Sequence, residues 1–173
     1  MCLKVRNMAL GGGFAALLTI CAWISLPFGA ISFTMQTFGV FLTLGLLGGK
    51  WGSISILVYL LLGAVGAPVF SGFQGGFGVL LGATGGYLTG FLFSALLFGL
   101  ITAILPGKKG LLLAMVTGLL VCYLFGSLWY AYFYAQGTSF GEILTLCVLP
   151  YVIPDILKLF LAYFLTQKLK RFV

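Results

Sequence analysis

Histidine is missing altogether from this chain, and acidic residues number only two in 173. Charged residues of either sign make up 6%, where a soluble domain carries about 25%. These scarcities exclude a good deal. Without histidine there is no Ser–His or histidine–metal hydrolase. Two acids far apart in sequence, Glu142 and Asp155, cannot form a relay of several carboxylates for proton coupling. The four cysteines, Cys2, Cys21, Cys122 and Cys147, never come close in sequence, so no zinc or iron–sulfur spacing exists. They read as buried apolar thiols. The glycine-rich GGFGVLLGATGG has no Gly-Lys-Ser/Thr after it and is not a Walker A loop. The chain calls for no cofactor and no metal. A Ser–Lys pair around Lys158 stays open on composition alone.

What is abundant is apolar: 62% of the residues. No water-soluble fold of this length can hide so much, so the solvent is lipid. Recurrent apolar runs of about 20 residues favour helices over barrel strands. The expectation is an all-α integral membrane bundle, residues 1–173 forming one domain. Six spans are expected, at about 8–27, 34–49, 52–67, 83–105, 111–134 and 143–166. Pro27, Pro68 and Pro106 fall at their boundaries. The basic N-terminal run is read as a retained first helix rather than a cleaved signal, since no A-x-A site follows it cleanly.

The net charge of +7 is placed for topology, not for nucleic acid. Lys4, Arg6, Lys50, Lys108, Lys109, Lys168, Lys170 and Arg171 lie at the gaps and ends of apolar runs. Threading six spans with both termini cytoplasmic puts every one of them inside. Glu142 then lies outside. A glycine-rich outer segment at about 68–82, carrying Phe70, Phe73 and Phe77, reads as a loop packed over the helix ends. Small residues at i,i+4 in the first helix, Gly11 with Ala15 and Gly12 with Ala16, allow close helix contact. Packing within the bundle and docking of a partner subunit both fit that stripe.

One charged pair is out of place. Asp155 and Lys158 stand one helical turn apart in an apolar run, just after Pro150 and Pro154. They could simply neutralise each other. Yet a buried pair adds little stability, and prolines next to an intramembrane charge suit a ligand site at an interrupted helix. Ligand contact is the preferred reading.

The segments FTMQT (33–37), GAVGAPVFSGFQGGFG (63–78), GATGGYLTGF (82–91) and PDILK (154–158) carry a resemblance over nearly all of the chain. It resembles the BioY family, the biotin-specific substrate-capture components of energy-coupling-factor transporters. Ala83 departs from the family pattern, which usually has proline there. The resemblance implies a non-enzymatic biotin-binding subunit of the bacterial plasma membrane. Its implied partners are a transmembrane coupling subunit, docking on Gly11, Gly12, Ala15 and Ala16, and two cytoplasmic ATPases. Biotin's ureido ring offers N–H donors and a carbonyl acceptor, which suits Asp155 and Lys158. Thr34, Gln36, Phe33, Phe70, Gly75 and Tyr87 complete the expected site, with loop N–H groups on the carboxylate. The reverse pose, with Lys158 on the carboxylate, stays open, as do a stand-alone carrier, another vitamin, and a structural membrane protein without a ligand.

Overall fold

The computed structural model describes residues 2–27 and 31–171, with side chains from Val5 onward. The topology role expected of Lys4 lies outside the described side chains. Long apolar stretches form helices because lipid offers no partner for backbone N–H and C=O groups. In order these are α1 (Cys2–Trp23), α2 (Gln36–Ala64), a short α3 (Phe77–Leu80), α4 (Gly85–Ile104), α5 (Lys108–Phe133), α6 (Phe140–Cys147) and α7 (Leu149–Leu169). Among the described residues, five helices are long and apolar enough to cross a membrane: α1, α2, α4, α5 and α7. Their outward faces carry Leu96, Leu100, Leu120, Leu128 and Leu157, all exposed.

The fold differs from the sequence expectation in three places. The first is α2, where spans were expected at about 34–49 and 52–67. The helical stretch Gln36–Ala64 breaks at Gly48, with φ 75° and ψ 175°. That conformation belongs essentially to glycine. The chain doubles back there: Gln36 Nε2 donates to Tyr59 Oη at 2.8 Å across 23 residues of sequence. A straight helix would separate them by about 35 Å at 1.5 Å per residue. The α2 hairpin is the centre of the molecule, and residues 39–46 are buried throughout.

The second difference is the last apolar run, expected as one bent span at 143–166. It is two helices, broken at Val148 rather than at Pro154. Pro150 sits in the first turn of α7, where a missing N–H costs nothing. Pro154 is accommodated inside the helix. Thirdly, the bundle is not purely helical. A two-residue antiparallel ribbon, β1 (Ser25–Leu26) with β2 (Phe33–Thr34), ties the α1–α2 connection together.

The glycine-rich segment does fold over the helix ends. Phe70 is fully buried and meets Tyr59 edge-on, with ring centroids 5.6 Å apart. Trp23 Nε1 donates to the Pro68 carbonyl at 2.8 Å, and the Trp23 ring lies against Phe73. Cys21, Cys122 and Cys147 are buried free thiols, as expected.

The first-helix stripe divides. Gly11 and Ala15 are buried in the bundle, Gly11 beside Ser55 of α2, whereas Gly12 and Ala16 are exposed. Of the two pairs, the second faces outward and is free for another protein.

Candidate functional site

Asp155 and Lys158 lie on one face of α7, about one turn apart, and both are buried at 5% and 6% exposure. Lys158 Nζ donates to Asp155 Oδ1 at 2.7 Å. It also donates to the Thr34 carbonyl at 2.6 Å and sits 3.8 Å from the centroid of the Phe33 ring. Carboxylate, carbonyl and ring quadrupole together surround the ammonium.

Asp155 is as fully occupied. Its Oδ1 accepts from Thr37 Oγ1 at 2.9 Å as well as from Lys158, and its Oδ2 accepts from Tyr123 Oη at 2.6 Å. Three helices therefore meet at one carboxylate: α2 through Thr37, α5 through Tyr123, and α7 itself. The pair is neutralised internally and is also aimed at a cavity, so the two readings of it are not exclusive.

That cavity is small, about 60 Å³. It is lined by Asp155, Lys158, Tyr123, Thr37, Tyr87 and Cys147 among others. Its volume equals roughly two waters' share of liquid. A second, larger cavity of about 340 Å³ lies beside it, lined by Thr34, Gln36, Phe70, Gln74, Thr84 and neighbouring residues. This volume lies within the range of small-molecule pockets. Ile31, Ser32 and Thr34 line both cavities, so the 31–34 segment is the wall between them.

The wall is latched to α7 and α6. Besides the Lys158 bond to Thr34, Tyr151 Oη donates to the Ile31 carbonyl. Ile31 packs into a small separate core with Ile143, Cys147 and Tyr151. On the side of the larger cavity, Thr34 Oγ1 donates to Gln36 Oε1 at 3.0 Å. Tyr59 fixes the other end of the same amide.

The expected site residues thus fall into groups. Thr34, Gln36 and Phe70 line the larger cavity. Asp155, Lys158 and Tyr87 line the smaller one, and Thr34 faces both. Phe33 covers the Lys158 ammonium. Gly75 lines neither. A Cβ there would run into the Ala67 carbonyl, so its missing side chain is explained by close backbone packing. Thr37, Tyr123 and Tyr59 were not expected. No local pattern marks them, because each reaches its partner from a different helix or from the other arm of the hairpin.

Comparison with known proteins accords with this architecture. The family model described as "BioY family" matches residues 1–173. "Biotin transporter BioY" of Thermotoga maritima is 38% identical over 170 residues, covering 96% of this chain and 97% of that protein. "Probable biotin transporter BioY" of Pyrococcus horikoshii is 39% identical over 169 residues, covering 97% and 98%. Among solved structures, the S-component for biotin from an ECF-type ABC transporter superposes with a TM-score of 0.88 at 25% identity, covering 98% of this chain and 93% of that one. The family is one of transporter components, not enzymes. With matches along its whole length in both sequence and fold, this chain belongs to the BioY family.

Proposed function

We propose that this protein is the biotin-capturing subunit of an energy-coupling-factor transporter in the bacterial plasma membrane. One observation carries the reading furthest. A buried, hydrogen-bonded Asp155–Lys158 pair lies behind a thin wall from a cavity of about 340 Å³. Biotin has one compact polar ring and an apolar tail ending in a carboxylate. The larger cavity supplies Phe70, Val79 and Leu88 for apolar contact and Gln36, Gln74 and Thr84 for polar edges.

For the ureido ring to reach Asp155 and Lys158, the 31–34 wall shifts and the two cavities become one. Lys158 then exchanges the Thr34 carbonyl for the ureido carbonyl. Asp155, which keeps one lone-pair direction beyond its three hydrogen bonds, accepts from a ureido N–H. The carboxylate end rests against the Ser71–Gln74 loop, whose Ser71, Gly72 and Gln74 line the larger cavity.

Six crossings with both termini cytoplasmic belong to the same proposal, the α2 hairpin supplying two of them. In its support, Gly48, Lys108 and Lys170 line one cavity, so three of the basic-flanked segments share one end of the bundle. The coupling subunit, with its two ATPases, docks on the exposed Gly12 and Ala16 face of α1. The whole chain acts as a single domain.

Titration calorimetry with biotin on the detergent-purified chain, in the absence of any partner, tests the central statement. Saturable one-to-one binding is expected. Absence of binding by a well-folded sample would overturn it, and tighter binding of another vitamin would reassign the ligand. Uptake by vesicles holding only this chain, without ATP, would instead favour a stand-alone carrier.

A further inference from the structure

At the other end of α7 from the Asp155 site, about 22 Å away along the helix at 1.5 Å per residue, lies a cavity of about 290 Å³. Its lining includes the apolar side chains of Pro106 and Leu111 and the polar side chains of Lys108, Gln167 and Lys170. Neither lysine side chain has a salt bridge or hydrogen bond among the described residues.

The sequence explains why. Apart from Asp155, the chain's acidic side chains reduce to Glu142, in the first turn of α6 toward the opposite end. Lys170 follows the carbonyl end of α7, a favourable place for a cation. Lys108 opens α5, where the peptide dipoles disfavour one. Two ammonium groups therefore line one cavity with no carboxylate side chain near enough to balance them. An anion from outside the chain would balance them.

The cavity also sits at the membrane boundary, since the α5 span starts at Lys108 and the α7 span ends at Leu169. A ligand that fills it needs a compact anion next to an apolar part. We propose that this cavity binds the phosphate-bearing headgroup of an anionic phospholipid. Lys108 and Lys170 neutralise the phosphodiester, the Gln167 amide donates to a phosphate oxygen, and the glycerol carbons cover Pro106 and Leu111. Free phosphate offers the same charge but nothing to lay on the apolar side. Basic pockets between membrane helices commonly recognise such headgroups.

Native mass spectrometry of the detergent-purified chain, with added phosphatidylglycerol, tests this. Phosphatidylcholine and inorganic phosphate serve as separate arms. The double variant Lys108→Gln/Lys170→Gln is compared with Lys109→Gln/Lys168→Gln, which removes the same charge from residues that do not line the cavity. Retention of phosphatidylglycerol is expected to fall roughly tenfold or more in the first variant and to persist in the second. Equal loss in both doubles, retention in both, or equal binding of phosphatidylcholine would overturn the proposal. Full displacement of the lipid by inorganic phosphate would overturn the lipid assignment. Where the first double fails to fold, Lys108→Gln alone, checked by an unchanged thermal midpoint, carries the same comparison with Lys109→Gln. Biotin binding is not used as a readout, so the outcome is independent of the capture function.

Discussion

Replacing Asp155 by asparagine changes one atom and removes one charge, and its consequences can be worked out bond by bond. The carboxylate accepts from Thr37, Lys158 and Tyr123 at 2.9, 2.7 and 2.6 Å. The asparagine oxygen can keep the Thr37 and Lys158 bonds if it takes the Oδ1 place. The amide nitrogen then faces Tyr123, whose hydroxyl must turn from donor to acceptor. Geometry survives; neutralisation does not. Lys158 is left as a buried cation whose partners, the asparagine oxygen, the Thr34 carbonyl and the Phe33 ring, are all neutral. Breaking a buried pair costs about 3–5 kcal/mol when one partner is deleted, and less for this near-isosteric change.

Some of that cost falls on stability and some on binding. A ureido N–H that met a carboxylate now meets a neutral amide oxygen, losing a charge-assisted bond. Biotin affinity is expected to weaken by about 2–3 kcal/mol, roughly 30- to 150-fold. Calorimetry gives the affinity, and a thermal melt of the ligand-free protein gives the stability. Unchanged affinity with a lowered midpoint would refute ligand contact and leave Asp155 a structural counter-ion. If neither quantity moved, the account of the network itself would be refuted.

Four further substitutions probe other parts of the structure. Tyr123→Phe leaves Asp155 Oδ2 without its described donor and is expected to lower stability by about 1.5–3 kcal/mol. A thermal midpoint within error of the parent would contradict this. Ala16→Leu, on the exposed face of α1, is expected to abolish ATP-driven uptake with the complete transporter while biotin binding by the isolated chain stays intact. Ala15→Leu is expected instead to destabilise the chain by about 1–3 kcal/mol through overpacking against its own bundle; identical behaviour of the two variants would show that α1 is not divided as described. Gly48→Ala forces a side chain into a glycine-only conformation and is expected to cost about 1–3 kcal/mol, read as a lower midpoint.

Composition and charge placement carried much of the fold, because a membrane chain must satisfy its backbone locally and local patterns then suffice. The ends of α4 and α5 fall within a few residues of their expected places, since Pro106 and the lysines beside it mark the connection. The anomalous Asp155–Lys158 pair was visible for the same reason: in an apolar run a charge has nowhere to hide. The less legible features depend on tertiary geometry. Nothing near Tyr123 or Thr37 in sequence reveals Asp155 as their acceptor, and Tyr59 finds Gln36 only because the chain reverses at Gly48. The small-residue stripe of α1 showed that close packing occurs, but which of its two faces turns inward is decided by α2. Gly75 was expected in the ligand loop; what the structure adds is that a side chain there would meet the Ala67 carbonyl.

The hairpin at Gly48 has a consequence for the bilayer. Residues 36–47 span about 18 Å and residues 49–64 about 24 Å as helix, against about 30 Å of hydrocarbon. The first arm is sheltered, being buried almost throughout. The second is not: Ile54, Leu57, Val58, Leu61 and Leu62 face outward. On the proposed six-span topology, lipid along this arm would meet too short an apolar wall and thin to match it, at a fraction of a kcal/mol per Å. Val58 and Leu62 line the same groove as Gly12 and Ala16. On that topology the hydrophobic mismatch falls beside the open face of α1, where a helix from another protein would displace strained lipid as it bound.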